Sequence, residues 1–316
     1  MAKPRILVTR KLTDPVEARL TADYDATFNP SDRPMPAAAL AAAMRDQDAL
    51  VPTVSDRIAA GMLQAEGCRV RMIANVGVGF SNIDTEAARD AGIAVSNTPD
   101  VLTDATAMLL ILSATRRAFA AEKMLRAGRW GGFSIVDGLG TSIQGKVLGI
   151  IGMGRIGRAT ARRAAAGFGM EIVYYNRSPV GELGFEARRL ESIEAVMAAA
   201  DVVSVHVPGG GAAPLVTAAH IACMKRSAYL INTARGDSVD QDALIEALAR
   251  GRIAGAGLDV FAEEPEVPKA LREMETVTLL PHIGSATQEV RTAMGHVAAD
   301  NLDAFFAGKE LPCRVV

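Results

Sequence analysis

The chain has 316 residues and a formal net charge of −2, with 34 Lys and Arg against 36 Asp and Glu. Hydrophobic residues at 49% and charged residues at 22% are the proportions of a globular chain long enough for two cores. Balanced charge without a basic tract argues against nucleic acid or an anionic membrane as partner, and the first apolar run, Ile6-Leu7-Val8, is too short for a signal peptide or a membrane span.

Short apolar runs then alternate with Ala-rich stretches of helical spacing. Strands are predicted over 6–8, 24–28, 49–51, 72–75 and 93–96, with helices over 14–20, 36–45, 56–63 and 85–90 between them. This alternation predicts a parallel sheet covered by helices. The loop Val76-Gly77-Val78-Gly79-Phe80-Ser81-Asn82-Ile83-Asp84 closes the fourth strand. Its successive backbone N–H groups suit an anion such as a carboxylate, although glycines there also serve a plain turn. Thr98-Pro99-Asp100 punctuates the chain before a long apolar helix expected over 103–118, and the crossing into a second domain is placed here.

A Gly-rich linker over 128–140 holds the single Trp130 and leads to Val147-Leu148-Gly149-Ile150-Ile151-Gly152-Met153-Gly154-Arg155-Ile156-Gly157. β-Branched residues run into Gly152, and helical spacing follows over 156–166, so the Gly-x-Gly-x-x-Gly lies between a strand and a helix. Gly152 would allow the turn, Gly154 the approach of a pyrophosphate, and Gly157 close packing of helix on strand. The next strand, 171–175, ends in Asn176-Arg177-Ser178 and not in an acid. A carboxylate would repel a 2′-phosphate, whereas an arginine with a neighbouring hydroxyl accommodates one. This favours NADP(H) over NAD(H); the alternative, with Arg177 a solvated loop cation, stays open.

Beyond it come a helix over 193–199, a strand over 202–207 stopped by Pro208-Gly209-Gly210-Gly211, a strand over 229–232, a helix over 240–250, and strands over 253–258 and 277–280. A last helix, 287–306, is expected to return to the first domain. The fold class is therefore α/β with two doubly wound parallel-sheet domains. Cys68, Cys223 and Cys313 are far apart and form no Cys-x-x-Cys, which suits buried thiols in a reducing cytoplasm rather than a disulfide frame or a zinc site. No His/Asp/Glu cluster has ligand spacing, so no metal is expected.

Three polar residues follow buried-looking strands of the second domain: Arg235, Glu264 and His282. Each alone also reads as a helix-capping arginine, a surface acid or a loop histidine. Their shared position at strand ends favours one cleft.

In order, the Gly77–Asp84 loop, Thr98-Pro99-Asp100-Val101-Leu102-Thr103, the fingerprint at Gly152, Asn232-Thr233-Ala234-Arg235-Gly236, Gly257-Leu258-Asp259-Val260 through Glu264-Pro265, and Pro281-His282-Ile283-Gly284 resemble the D-isomer-specific 2-hydroxyacid dehydrogenase family along nearly the whole chain. Within it the pattern is most similar to glyoxylate/hydroxypyruvate reductases. The resemblance implies a Rossmann nucleotide-binding domain over 100–285 and a flavodoxin-like substrate domain formed by 1–99 with 286–316. It implies a catalytic triad of Arg235, Glu264 and His282. Arg235 would bind the carboxylate of a small 2-oxo acid and polarise its carbonyl. His282 would give the proton in reduction, and Glu264 would favour the imidazolium.

The amides of Val78 and Gly79 would hold the other end of the substrate. Cofactor contacts are implied at Thr106, Gly152, Gly154, Arg155, Ile156, Gly157, Asn176, Arg177, Ser178, Val207, Pro208, Thr233, Ala234, Asp259, His282 and Gly284. The resemblance also implies a homodimer. Ser81, where Asp is frequent in the family, and Met108, where an acid often stands, leave the substrate open. So does the Gly- and Ala-rich loop over 208–214. The rival readings are an NAD-dependent dehydrogenase of a bulkier D-hydroxy acid and a dinucleotide-sensing binding protein on the same scaffold.

Overall fold

β1 (Arg5–Val8), α1 (Asp14–Asp23), β2 (Asp25–Phe28), α2 (Ala37–Ala43), β3 (Ala49–Val51), α3 (Ala60–Leu63), β4 (Met72–Ala74), α4 (Thr85–Asp90) and β5 (Ala94–Ser96) follow one another in the computed structural model, which describes residues 2–99 and 104–316. The strands pair in parallel in the order β2-β1-β3-β4-β5. Alternate residues feed two cores, Ile6, Val8, Val51 and Met72 on one face and Leu7, Leu50, Ile73 and Val95 on the other. A parallel sheet covered on both sides needs such unbroken apolar strands.

After α5 (Asp104–Thr115) and α6 (Ala118–Arg126) come β6 (Val147–Ile151), α7 (Arg155–Phe168), β7 (Glu171–Tyr175), β8 (Arg188–Arg189), α8 (Ile193–Ala199), β9 (Val202–Val205), α9 (Ala218–Cys223), β10 (Tyr229–Asn232), α10 (Gln241–Ala249), β11 (Gly255–Leu258), α11 (Lys269–Glu273) and β12 (Val277–Leu279). These strands form one parallel sheet in the order β12-β11-β10-β9-β6-β7-β8. The order reverses between β6 and β9, the kind of switch point beside which ligands sit in open α/β sheets. Leu148, Ile150 and Ile231 face one core, Ile151, Val203 and Leu230 the other. The last helix, α12 (Gln288–Phe306), packs on α1 and β4. The chain divides into two units, Met1–Val101 with Ser285–Val316 and Leu102–Gly284. Two doubly wound parallel sheets are thus what the alternation predicts.

Local departures have local causes. The helix expected over 56–63 begins at Ala60, because the Asp56 carboxylate accepts hydrogen bonds from Thr9 Oγ1 (2.7 Å) and the Thr53 amide (2.8 Å), a side-chain turn that competes with helix. The helix expected to reach 118 stops at Thr115, and Arg117, at φ 53°, turns the chain into α6. Its expected start at Thr103, and Asp100 to Leu102 before it, lie outside the described residues. The strand expected through Val207 ends at Val205, where the His206 ring turns back to Ser204 Oγ at 2.8 Å. α6, β8, α9 and α11 escape the periodicity reading. Cys68 and Cys313 are half-buried and Cys223 is exposed at the end of α9, its thiol donating to the Ala219 carbonyl, so the expectation of three buried thiols fails for Cys223. No helix among the described residues is long and apolar enough to cross a membrane.

Gly149 shows how closely the layers approach. A Cβ there would lie 2.6 Å from Val196 Cγ1 and 2.8 Å from Ala200 Cβ, against α8. Gly149→Val is expected to lower stability by about 1–3 kcal/mol, read as a lower urea midpoint at unchanged slope. An unchanged midpoint would show that α8 does not rest on this strand.

Candidate active site

Parallel pairing sets the carboxyl ends of β6, β7, β9, β10, β11 and β12 along one edge of the larger sheet. Arg235 follows β10, Asp259 and Glu264 follow β11, and His282 follows β12. The polar residues far apart in sequence therefore leave the sheet on the same side.

His282 Nδ1 lies 2.7 Å from Glu264 Oε2, while Glu264 Oε1 accepts the Phe261 N–H at 3.0 Å. Both carboxylate oxygens are engaged, and a histidine facing a carboxylate through Nδ1 presents Nε2 outward. Nε2 has no partner among the described residues. Burial alone would raise the Glu264 carboxyl. The hydrogen bond and charge of His282, the Phe261 amide and the charge of Arg235 outweigh burial and hold it below its ordinary value. His282 sits at φ 52°, uncommon for a side chain of its size. Asp259 holds it there: its carbonyl accepts the His282 N–H at 2.9 Å and its Oδ1 the Ile283 N–H at 2.7 Å. At 1% exposure, burial pushes the Asp259 carboxyl up, with the Ile283 amide and the His282 charge opposing.

Arg235 is half-buried. Its Nη1 donates to the Ala234 carbonyl at 2.7 Å, and no other guanidinium hydrogen bond occurs among the described residues. Burial lowers its pKa while the charges of Glu264 and Asp237 oppose that, and a guanidinium remains a cation throughout. Asn232, 2% exposed, fixes the turn: its Oδ1 accepts the Ala234 N–H (3.0 Å) and its Nδ2 donates to the Arg235 carbonyl (2.8 Å). Neither Asn232 nor the Phe261 amide was singled out from sequence. An asparagine three residues before an arginine at a strand end was the available signal for the first; nothing local marks the second.

The glycine loop fits a bound dinucleotide. Gly152, at φ 95°, turns the chain where a Cβ would strike the His206 carbonyl, and a Cβ at Gly157 would strike the Gly152 carbonyl. Gly154 is the N-cap of the 14-residue α7 without a side-chain cap, and a Cβ there would meet no atom within 4 Å, which leaves room beside the start of the helix. Arg155 and Ile156 form the first turn, exposed and half-buried respectively.

Asn176 spends its side chain on the protein, with Oδ1 accepting the Met153 N–H at 3.0 Å and Nδ2 donating to the Ser178 carbonyl at 2.8 Å. Arg177 and Ser178 are exposed, and Arg177 has no hydrogen bond or ion pair among the described residues. The buried Thr233 hydroxyl has no hydrogen-bond partner among the described residues. Val207 is half-buried with Pro208 exposed beyond it, and the Gly284 carbonyl accepts from Thr106 Oγ1 at 3.4 Å. Among the described residues no group of three or more His, Cys, Asp or Glu could hold a metal ion.

Val78 and Gly79 belong to the other unit, in the loop after β4. Their carbonyls are taken, by Asn97 Nδ2 at 2.7 Å and Asn75 Nδ2 at 3.0 Å, whereas neither amide donates to a group among the described residues.

Comparison with known proteins identifies the chain's relatives. Residues 108–284 match the family model for the D-isomer specific 2-hydroxyacid dehydrogenase, NAD binding domain. The chain is 41% identical to a glyoxylate reductase of Thermococcus kodakarensis, over 99% of this chain and 96% of that protein. The same identity and coverage relate it to a glyoxylate reductase of Aeropyrum pernix. It superposes with a TM-score of 0.88 on the NADPH-dependent glyoxylate/hydroxypyruvate reductase of Sinorhizobium meliloti, solved with NADP and malonate, at 37% identity over 100% of this chain and 97% of that one.

A carboxyl whose pKa is depressed by folding adds stability that is complete above its unfolded pKa and lost as pH falls through its folded one. The margin by which the wild type exceeds Glu264→Gln in urea melts should thus shrink as pH falls through and below the ordinary glutamate range. A margin independent of pH would break the link between Glu264 and His282.

Proposed function

The chain belongs to the D-isomer specific 2-hydroxyacid dehydrogenase family, oxidoreductases that bind a nicotinamide dinucleotide, and from that premise we propose that it reduces a small 2-oxo acid of glyoxylate or hydroxypyruvate type to the D-2-hydroxy acid, with NADPH as the favoured cofactor. The observation that carries the proposal is the His282–Glu264 pair, its Nε2 open, on the same sheet edge as an Arg235 whose guanidinium donors are largely unused. On this reading Leu102–Gly284 is the dinucleotide-binding unit and Met1–Val101 with Ser285–Val316 the substrate unit.

The bound nicotinamide would supply the hydride. Arg235 offers a planar fork to the substrate carboxylate and draws electron density from the adjacent carbonyl. His282 Nε2 delivers the proton to the carbonyl oxygen as charge develops there, and takes it back in the oxidative direction. Glu264 stays ionised and offsets the imidazolium charge. Asp259 keeps the histidine loop in place through the Ile283 amide. Val78 and Gly79 offer two free amides to an anion, a role assigned here to the substrate carboxylate.

NADPH is favoured because no acid stands at the end of β7, where Arg177 and Ser178 are exposed. We place the enzyme in the cytoplasm, where the three free thiols would persist. A homodimer is proposed through the surface that includes Trp130 (59% exposed), Phe133 (90%) and Ile135 (81%), since apolar side chains so exposed mark association surfaces.

Purified protein tests the chemistry directly. His282→Gln should lower kcat for glyoxylate reduction by about 100-fold or more while NADPH affinity, read by calorimetry, stays within about twofold. Arg235→Ala should lower kcat/KM by about 100- to 1000-fold, with part of the loss in KM. Retained turnover in His282→Gln would remove the proposed acid. Light scattering should give twice the mass of one chain, falling towards one chain in Phe133→Asp; a wild-type monomer would refute the dimer.

A further inference from the structure

The short edge strand β8 has no place in the glycine fingerprint, yet it reaches the end of β7 where the ribose would be read. Val173 and Tyr174 pair in parallel with Arg188 and Arg189, and the Leu190 N–H donates to the Tyr174 carbonyl at 2.8 Å. Successive residues of a strand point to opposite faces, so only one of the two arginines can turn towards the 176–178 loop. It is Arg189: its Nη2 donates to the Asn176 carbonyl at 3.0 Å. That contact sets a guanidinium against the peptide that joins Asn176 to Arg177. The remaining donors of Arg189, and all those of Arg177, have no partner among the described residues. Glu182, Glu186 and Glu191, on the same stretch of chain, form no ion pair with either arginine.

We infer that Arg189 is the second cation of a 2′-phosphate receptor, paired with Arg177, and that the chain's choice of NADPH depends on it. The inference rests on the NADPH reading of the proposed function and adds a residue from outside the motif that suggested it. A phosphomonoester near neutrality carries close to two negative charges, which one exposed guanidinium cannot offset. Two planar forks approaching from successive strands can each give paired hydrogen bonds to its oxygens.

Asn176 supplies the frame. Its side chain is locked to the Met153 amide of the glycine loop and its carbonyl to Arg189, so the ribose end and the pyrophosphate end of the cradle are held at a fixed separation. The 2′,3′-diol of NADH would find no carboxylate to accept its hydroxyl hydrogens at the end of β7, where the side chains are Asn176, Arg177 and Ser178. Selection would therefore come from attraction of the phosphate, and salt should weaken it because both guanidiniums are exposed.

Two substitutions separate a charge role from a structural one. Arg189→Gln removes the charge and keeps a shorter amide donor; Arg189→Ala removes both. With the full-length protein and glyoxylate, Arg189→Gln and Arg189→Ala should each raise KM for NADPH by about tenfold. KM for NADH and kcat at saturating NADPH should stay within about twofold of wild type. Raising the ionic strength should narrow the wild-type preference more steeply than the smaller preference, held by Arg177 alone, that the variants keep. Arg188→Gln, on the opposite face, should behave as wild type.

If Arg189→Gln keeps the wild-type KM for NADPH while Arg189→Ala raises KM for both cofactors alike, the residue only braces the loop and the receptor assignment falls. Wild-type enzyme preferring NADPH with both variants unchanged also overturns it, and leaves the parent reading standing. A wild-type enzyme that prefers NADH defeats the parent reading, and the receptor with it, before any variant is made.

Discussion

Every strand of the larger sheet runs in the same direction, and the candidate site follows from that one constraint. Parallel pairing in the order β12-β11-β10-β9-β6-β7-β8 gives the sheet a single edge of carboxyl ends. Gly152, Asn176, Arg235, Asp259 and His282 lie far apart in sequence, and all leave the sheet on that edge. Helices on both faces make the arrangement stable, since Leu148, Ile150 and Ile231 on one side and Ile151, Val203 and Leu230 on the other are almost wholly buried. The edge is then the place where polar groups can gather without disturbing a core. An antiparallel sheet of the same residues would scatter them over two ends.

What gathers there combines several features that are each uncommon in a folded chain. Among the described residues Arg235 is half-buried with most of its donors unused, Thr233 has a buried hydroxyl without a partner, and His282 lies in the left-handed region. Each costs stability, and together they describe a surface organised for something other than folding. Glu264 differs: one oxygen takes the Phe261 amide and the other His282, so its charge is held by hydrogen bonds that outweigh the penalty of burial. A carboxylate secured in this way is a fixed negative charge beside an imidazole. On the proposed reaction, that charge would offset the imidazolium as it gives up its proton.

The sequence made some of this legible and hid the rest for physical reasons. Apolar strands buried on both faces announce themselves, so Ala49–Val51 and Glu171–Tyr175 match their predicted bounds. The Gly152 turn and the polar residues after β10, β11 and β12 could likewise be located from short patterns. Secondary structure of a few residues could not: Arg188–Arg189 forms a strand only because β7 is there to pair with it, and α9 and α11 are too short for a period to show. The helix expected from 56 failed because Asp56 prefers Thr9, 47 positions away in the chain, a partner no local window contains. The dual engagement of Asn176 was hidden in the same way, since Met153 and Arg189 approach it only after the sheet forms.

The hidden contacts have a common chemistry. Asn176 follows β7, Asn232 ends β10 and Asp259 follows β11, and each gives a side-chain oxygen to a loop amide, those of Met153, Ala234 and Ile283. In the other unit Asn75 and Asn97 do the complementary thing, donating to the carbonyls of Gly79 and Val78 and leaving the amides of those residues free. A short side chain that can accept or donate at a strand end ties an irregular loop to a rigid element at small entropic cost, because Asn and Asp have few rotors to freeze. The loops so tied are the glycine turn at Gly152, the arginine turn, the histidine loop and the loop whose Val78 and Gly79 amides have no partner among the described residues. Lengthening such a residue by one methylene, Asn to Gln or Asp to Glu, would keep the chemistry and move the loop. The precision of the edge therefore resides in the shortness of these side chains as much as in the residues that would touch a ligand.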